Sequence, residues 1–284
     1  NCTMGESCHM ETPSFSGGEP DQWVCEPPLP SGLTLGQDGS ISGIPDHVGS
    51  TNHTITGSNN GGSAFASLNI TTIHASPDSI DYGGESFTFS IGQPVSLSPS
   101  VPGGQITAWS VNPDLLSGLS ISQSGEISGI PSALQPTTQY TITAENSGGS
   151  VSTSILIEVI DLPIWDLEYS QQSFDLSVGD VILTNSPVWG GGSPTSWHVS
   201  PPLPNGFQMD QWTGEISGTA TDLQEWSTHT IWANNTGGGD FTEVSFRVID
   251  QPPNQITWEI QDRARPSNES AVITPYYSGP TRGR

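Results

Sequence analysis

Trp109-Ser-Val-Asn-Pro-Asp-Leu-Leu-Ser-Gly118-Leu119-Ser-Ile-Ser-Gln-Ser-Gly125-Glu-Ile127-Ser-Gly129-Ile-Pro131 is the stretch that decides the fold, because the chain writes it twice more. Upstream it runs Trp23 … Leu29-Pro30-Ser-Gly32-Leu33 … Gly39-Ser-Ile41-Ser-Gly43-Ile-Pro45. Downstream it runs Trp197 … Leu203-Pro204-Asn-Gly206-Phe207 … Gly214-Glu-Ile216-Ser-Gly218. The core markers Trp23, Trp109 and Trp197 stand 86 and 88 residues apart. That period is domain-sized, so each copy can bury a core of its own, which a solenoid repeat cannot do alone.

Working outward in the middle copy, Ile80-Asp-Tyr82 reads as a short opening strand. Phe87-Thr-Phe89-Ser-Ile91 alternates with period two, which puts its apolar side chains on one face. Val95-Ser-Leu97 follows, Pro-Gly-Gly at 102 to 104 turns the chain into Ile106 to Val111, and Leu115 to Ile121 makes the next strand. Gln123-Ser-Gly125 is a tight turn before Glu126-Ile127-Ser128. Tyr140-Thr-Ile142-Thr-Ala144 pairs through Asn146-Ser-Gly148-Gly149 with Val151 to Ile160. Many short strands with a turn signal about every ten residues predict an all-β chain of tandem, elongated immunoglobulin-like β-sandwich domains.

The repeat sets the expected domains: 76–161 and 162–250 are complete, 1–75 lacks its first strand, and 251–284 is a partial fourth repeat. Copies two and three open 33 and 35 residues ahead of their tryptophan, but only 22 residues precede Trp23, and Asn1 to Met10 shows no alternation. Conversely, Ile256-Thr-Trp258-Glu-Ile260 looks like another opening strand. Ala271-Val272-Ile273-Thr-Pro275 resembles the strand after it.

Composition limits the function. Acidic residues number 29 against 5 basic ones, a formal net charge of −24, and all five basic residues are arginines. Such a surface repels nucleic acid and anionic membranes, and the lack of lysine excludes lysine isopeptide cross-links. No apolar run reaches the roughly 20 residues of a membrane span. Arg263, Arg265, Arg282 and Arg284 form a basic tail on the acidic molecule. Cys2, Cys8 and Cys25 allow one disulfide, and a bridge from Cys25 to Cys8 or Cys2 would tie down the start; three free thiols are the alternative. Asn1, Asn52, Asn69, Asn234 and Asn268 head glycosylation sequons. The third copy adds Trp165, Trp189, Trp212, Trp226 and Trp232, which either pack in the core and at interfaces or stack on sugar rings.

The Trp, Leu-Pro-x-Gly-Leu, Gly-x-Ile-Ser-Gly-x-Pro and Asn-Ser-Gly-Gly elements resemble the He-PIG immunoglobulin-like repeat, a relative of cadherin-type domains. In the third copy Thr219-Ala220 replaces the terminal Ile-Pro. The resemblance implies tandem domains of large bacterial and archaeal surface proteins, in stalks, adhesins and filaments, with no enzymatic activity. It also implies calcium as the candidate cation at domain junctions, with Asp161, Asp166 and Asp250 as ligands and Asp78 and Asp81 nearby, although dense Asp-x-Asn-Asp clusters are missing.

No catalytic constellation appears: His9, His47, His53, His74, His198 and His229 are scattered, and no nucleophile elbow or His-Glu-x-x-His occurs. The expected protein is therefore extracellular or on the cell surface. The first expectation is a filament subunit whose partners are copies of itself, head to tail. In it the tail donates a strand through Ile256, Trp258, Ile260, Val272 and Ile273 to the incomplete first domain of the next copy. The alternative is a stretch of a long surface adhesin or stalk whose tryptophans bind surface glycans.

Overall fold

The computed structural model describes residues 1–253 and the strands Ile256–Glu259 and Thr274–Tyr277. Every regular element among them is a strand. The first repeat contains β1 (Cys2–Thr3), β2 (Cys8–Met10), β3 (Gln22–Glu26), β4 (Leu33–Leu35), β5 (Ile41–Gly43), β6 (Gly49–Asn59) and β7 (Gly62–Ile73). The second contains β8 (Ser86–Ser90), β9 (Val95–Leu97), β10 (Ala108–Asn112), β11 (Leu119–Ile121), β12 (Ile127–Gly129), β13 (Gln135–Asn146) and β14 (Gly149–Ile160). The third contains β15 (Ile164–Tyr169), β16 (Ser173–Ser177), β17 (Val181–Asn185), β18 (Pro187–Gly191), β19 (Ser196–Ser200), β20 (Phe207–Met209), β21 (Ile216–Thr219), β22 (Gln224–Asn235) and β23 (Gly238–Ile249). β24 (Ile256–Glu259) and β25 (Thr274–Tyr277) follow. The chain divides into two compact units, Asn1–Ile160 with the first two repeats and Asp161–Arg284 with the rest.

One topology is built three times. A four-stranded sheet runs β1-β7-β6-β3, β8-β14-β13-β10 and β16-β23-β22-β19, and in each the first pair is parallel. A three-stranded sheet, β2-β5-β4, β9-β12-β11 or β17-β21-β20, closes the sandwich. The long hairpin supplies the alternation that builds the core: Tyr140, Ile142 and Ala144 are 2%, 0% and 0% exposed, and their neighbours Thr141 and Thr143 face outward and meet Ser154 and Ser152 across the strand. Ile127 from the smaller sheet and Ile155 and Ile157 from the larger one meet in a single cluster, with Trp109 packed on it. The first and third repeats have clusters of the same make-up around Trp23 and Trp197.

The repeated Gly of the tight turn has two jobs. Gly39, Gly125 and Gly214 have φ of 82°, 80° and 72°, and a Cβ there would lie 2.8, 2.4 and 2.7 Å from a ring atom of Trp23, Trp109 and Trp197. Only glycine satisfies both the positive φ and the close approach of the indole.

Four expectations are revised. Ile80 to Tyr82 is not a strand; it pairs only through the isolated bridge Asp81↔Ser100, although Ile80 and Tyr82 are buried. The strand expected over Leu115 to Ile121 is confined to Leu119–Ile121, since Gly118 at φ 95° turns the chain just before it. Asn1 to Met10, which lacks an apolar alternation, forms β1 and β2 in the places of β8 and β9. Buried Cys2 and Cys8 take the apolar positions and are bonded to each other, 5.5 Å apart at Cα. The bridge thus joins Cys2 to Cys8, and Cys25 is free, part-buried against the core, with its thiol donating to Pro27 O at 3.2 Å. Burial, and then the charge of Glu26, pushes the Cys25 thiol pKa up.

Candidate functional site

The candidate site is the slot that the opening segment of a repeat fills. In the second repeat that segment crosses the sandwich end beside Trp109: Ile80 and Tyr82 join the core at 7% and 6% exposure, and the Tyr82 hydroxyl donates to Gly125 O at 2.6 Å. In the third repeat Leu167 packs on Ala233 and Trp197, and the Tyr169 hydroxyl donates to Gly214 O at 2.5 Å. Burial raises both phenols, Tyr82 to about 12 and Tyr169 further, so each is a neutral donor at ordinary pH.

The hairpin tip fastens the same segment. Asn146 Nδ2 donates to Ala75 O at 2.7 Å and to Gln105 O at 3.1 Å, and Asn235 Nδ2 to Leu162 O at 2.8 Å and Ser193 O at 3.4 Å. Next to these asparagines, Ser147 accepts the His74 N–H at 2.9 Å, and Thr236 accepts the Asp161 N–H at 2.9 Å.

In the first repeat the corresponding residues line an open groove of about 470 Å³. Its walls include Met10, Trp23, Gly39, Ile41, Ile55, Gly57 and Phe65. Ile41, Ile55 and Gly57 stand where Ile127, Ile142 and Ala144 hold Ile80 and Tyr82 in the second repeat. Phe65, 76% exposed, and Phe15, 50% exposed, form its rim. Asn59 repeats the hairpin asparagine, but its Nδ2 donates to Glu19 O alone, at 3.1 Å. The groove wall, Gly39 and Asn59 thus correspond to the residues that hold the opening segment in the other two repeats.

The tail contains a strand in matching register. Counting from Asp161 and Asp250, Ile256 falls at the position of Leu167 and Trp258 at that of Tyr169. β24 pairs antiparallel with β25, with Trp258 opposite Pro275, as Tyr169 in β15 lies opposite Pro187 in β18. Ile260, Val272, Ile273, Arg263, Arg265, Arg282, Arg284 and Asn268 lie outside the described residues.

The remaining expected residues are dispersed. The Asp161 carboxylate accepts from the Thr236 hydroxyl at 2.7 Å, Asp81 accepts from Gly83 N–H at 2.7 Å, and Asp166 is a left-handed residue at φ 53° in a bulged strand. Among the described residues no three His, Cys, Asp or Glu side chains gather in one place. His53 and His229 are both 2% exposed and bind Pro27 O and Pro201 O at 2.8 and 2.9 Å, which are structural roles. Asn52 and Asn69 lie opposite each other on β6 and β7, joined by a 2.7 Å hydrogen bond; Asn1 and Asn234 are exposed. Of the third-repeat tryptophans, Trp189 packs edge-on against Trp197, Trp226 lies under Arg247, Trp232 stacks on His198 and Trp165 is half-exposed. Trp212 is 83% exposed. The tyrosine anchors and the hairpin asparagine went unread as a site, although Tyr82 and Tyr169 stand 27 and 28 residues ahead of Trp109 and Trp197, a recurrence that could have revealed them.

Comparison with known proteins agrees with this architecture. Residues 69–160, which span the second repeat, match the model of the He-PIG family, described as "Putative Ig domain". No curated protein matches. Among solved structures, the titin I-band fragment I67–I69 is 16% identical over 87% of this chain and 94% of its own, with a TM-score of 0.38. The eight N-terminal Ig domains of Down syndrome cell adhesion molecule are 16% identical with a TM-score of 0.37; this chain spans 35% of that one and aligns over 87% of itself. The insect immune protein hemolin is 13% identical over 87% of this chain and 73% of its own, with a TM-score of 0.36. The repeated four-stranded and three-stranded sheets make the described chain an all-β tandem of immunoglobulin-like domains. Among the described residues no helix is long and apolar enough to cross a membrane.

Proposed function

We propose that the chain is the structural subunit of an extracellular filament, built head to tail as the tail strand of one copy enters the first-repeat groove of the next. The observation that carries this reading is the contrast among three equivalent slots: Tyr82 and Tyr169 close two of them, and the third is an open groove lined in part by Gly39. Within the chain, residues 250 to 258 match in register the segments that close the other two slots, with Ile256 and Trp258 at the two anchor positions. An indole N–H can donate to the Gly39 carbonyl as the tyrosine hydroxyls do elsewhere, and the added strand gains main-chain hydrogen bonds by β-augmentation. The arginines of the tail are complementary to exposed Glu6, Glu11, Glu19, Asp21 and Glu26 around the receiving repeat. Such an interface joins two different patches and need not close on itself, so it propagates.

The test compares residues 1–284 with residues 1–250 by negative-stain electron microscopy and native mass. Filaments or a ladder of multiples from the longer chain alone support the reading. Filaments from both, or monomers from both at high concentration, overturn it; monomers favour the second reading, a segment of a longer surface adhesin, for which the exposed Trp212 is the motivating observation.

A further inference from the structure

The turn between β20 and β21 differs from its two counterparts in a way the fold does not require. Leu35 to Gly39 and Ile121 to Gly125 span four steps, and their glycine N–H bonds back to Gly36 O at 3.1 Å and Ser122 O at 3.0 Å, three residues earlier. Met209 to Gly214 spans five steps, and Gly214 N–H reaches Asp210 O at 2.9 Å, four residues earlier. The widened turn presents Trp212, 83% exposed. It is held from within: the Asp210 carboxylate accepts the N–H groups of Trp212 and Thr213, both at 2.8 Å, so the loop carrying the indole is ordered before any ligand arrives.

Trp212 borders a cleft of about 610 Å³ whose wall includes Thr195, His198, Leu203, Gln208 and Gln211. On a chain of net charge −24, no Asp, Glu or Arg lines this cleft. Asp210 and Glu215 stand in the groove on its other border, where they repel anions. The amides of Gln208 and Gln211 make no hydrogen bond among the described residues. A purely apolar occupant would bury them unpaired at a cost, whereas an occupant with hydroxyls would satisfy them.

From the added turn residue, the uncharged cleft and the unpaired amides we infer that the third repeat carries a binding site for a neutral carbohydrate. A pyranose ring stacks its C–H face on Trp212 and exchanges hydroxyl hydrogen bonds with Gln208 and Gln211. The site is independent of the groove in the first repeat.

The experiment is an array of neutral and acidic glycans probed with the 1–284 chain, followed by calorimetric titration of the best neutral oligosaccharide. The expected result is binding of at least one neutral glycan, weakened tenfold or more by Trp212→Ala. Trp226→Ala, which removes another exposed tryptophan, should stay within twofold, and both variants should keep the parent melting temperature. Binding of acidic glycans alone, of none, or equal loss in both variants overturns the inference. Should Trp212→Ala alter the melting temperature, Gln208→Ala and Gln211→Ala decide: the inference stands only if they weaken the same glycan.

Discussion

Replacing Tyr82 by Phe isolates what the anchor tyrosine contributes to its slot. The ring is 6% exposed and its hydroxyl, 2.6 Å from Gly125 O, has no solvent to fall back on. The phenylalanine keeps the ring packed, so little cavity forms and the change falls on one buried hydrogen bond. Losing it leaves the carbonyl of a buried glycine unpaired, a cost of about 1–2 kcal/mol once the relief of desolvating the hydroxyl is counted. At 1.4 kcal/mol per factor of ten, the amides of β13 and β14 should exchange with deuterium roughly 5 to 30 times faster through openings of the second repeat. Mass spectrometry of peptides covering Gln135–Ile160 reads this directly, with Gln224–Ile249 of the third repeat as internal control. Tyr169→Phe should give the reverse pattern, because distant sites act independently. The same hydroxyl leaves a pH signature. Its folded pKa, raised by burial from 10 to about 12, means that the folded repeat holds the proton more tightly than the unfolded chain. The contribution is therefore complete below pH 10 and is lost as pH rises through 10 toward 12, a descent that Tyr82→Phe should flatten. Exchange within twofold of the parent in β13 and β14 would refute the reasoning, and would mean that Gly125 O has another donor.

Two further outcomes follow from the geometry. Gly125→Ala should destabilise the second repeat by about 2–4 kcal/mol, adding the positive-φ penalty to a Cβ only 2.4 Å from the Trp109 ring. Gly92→Ala, at φ 74° but with nothing within 4 Å, should cost about 1 kcal/mol, and urea midpoints would separate the two. Replacing Cys2 and Cys8 together by Ala should remove about 2 kcal/mol from the first repeat, from the entropy of a loop closed over a separation of 6 residues. Hydrogen exchange of β1 and β7 measures that loss, and Cys25→Ala should leave it untouched.

The fold was legible wherever a residue's conformation depends on its near neighbours. The Gly125 turn, the Tyr140-Ile142-Ala144 alternation and the Asn146 hairpin are local patterns, and all three recur as structure. The reading failed where pairing is decided at long range. β1 has two residues and β2 three, too short to show a period, and their buried positions belong to cysteines whose pairing spacing alone could not decide. Ile80 and Tyr82 look like a strand because they alternate, yet what holds them is a core and a single hydroxyl bond rather than a ladder. The slot was visible only as a difference in length before Trp23, since the features that define it, an unfilled wall and a half-used asparagine, are relations between residues about 40 apart in sequence, such as Asn59 and Glu19. Trp212 was readable as one aromatic among several; its exposure and the extra turn residue single it out only when the three turns are superposed in register.

Gly61 offers the sharpest test of the head-to-tail reading. In the other two hairpins the equivalent glycines lie under the chain entering the repeat: a Cβ on Gly148 would stand 2.1 Å from His74 O, and one on Gly237 2.0 Å from Asp161 O. Neither has a left-handed φ, so close approach is what requires glycine there. Gly61 has no left-handed φ either, and an added Cβ would meet nothing nearer than its own hairpin's Asn59 Oδ1 at 3.2 Å. Within a single copy the added methyl group presses only on the end of the Asn59 side chain, so Gly61→Ala should change the melting temperature of the first repeat little, the contact being offset by the reduced entropy of the unfolded chain. In an assembly where residues 250 to 258 of a neighbour follow the path taken by residues 74 to 82, the carbonyl of residue 250 would meet that methyl group at about 2 Å, well inside van der Waals contact. Gly61→Ala should then abolish filaments while the fold stands, whereas Gly62→Ala, one residue along at φ 137° with open space around it, should lower stability without a specific effect on assembly. Filaments formed by Gly61→Ala at the parent's concentration would show that no strand crosses this hairpin.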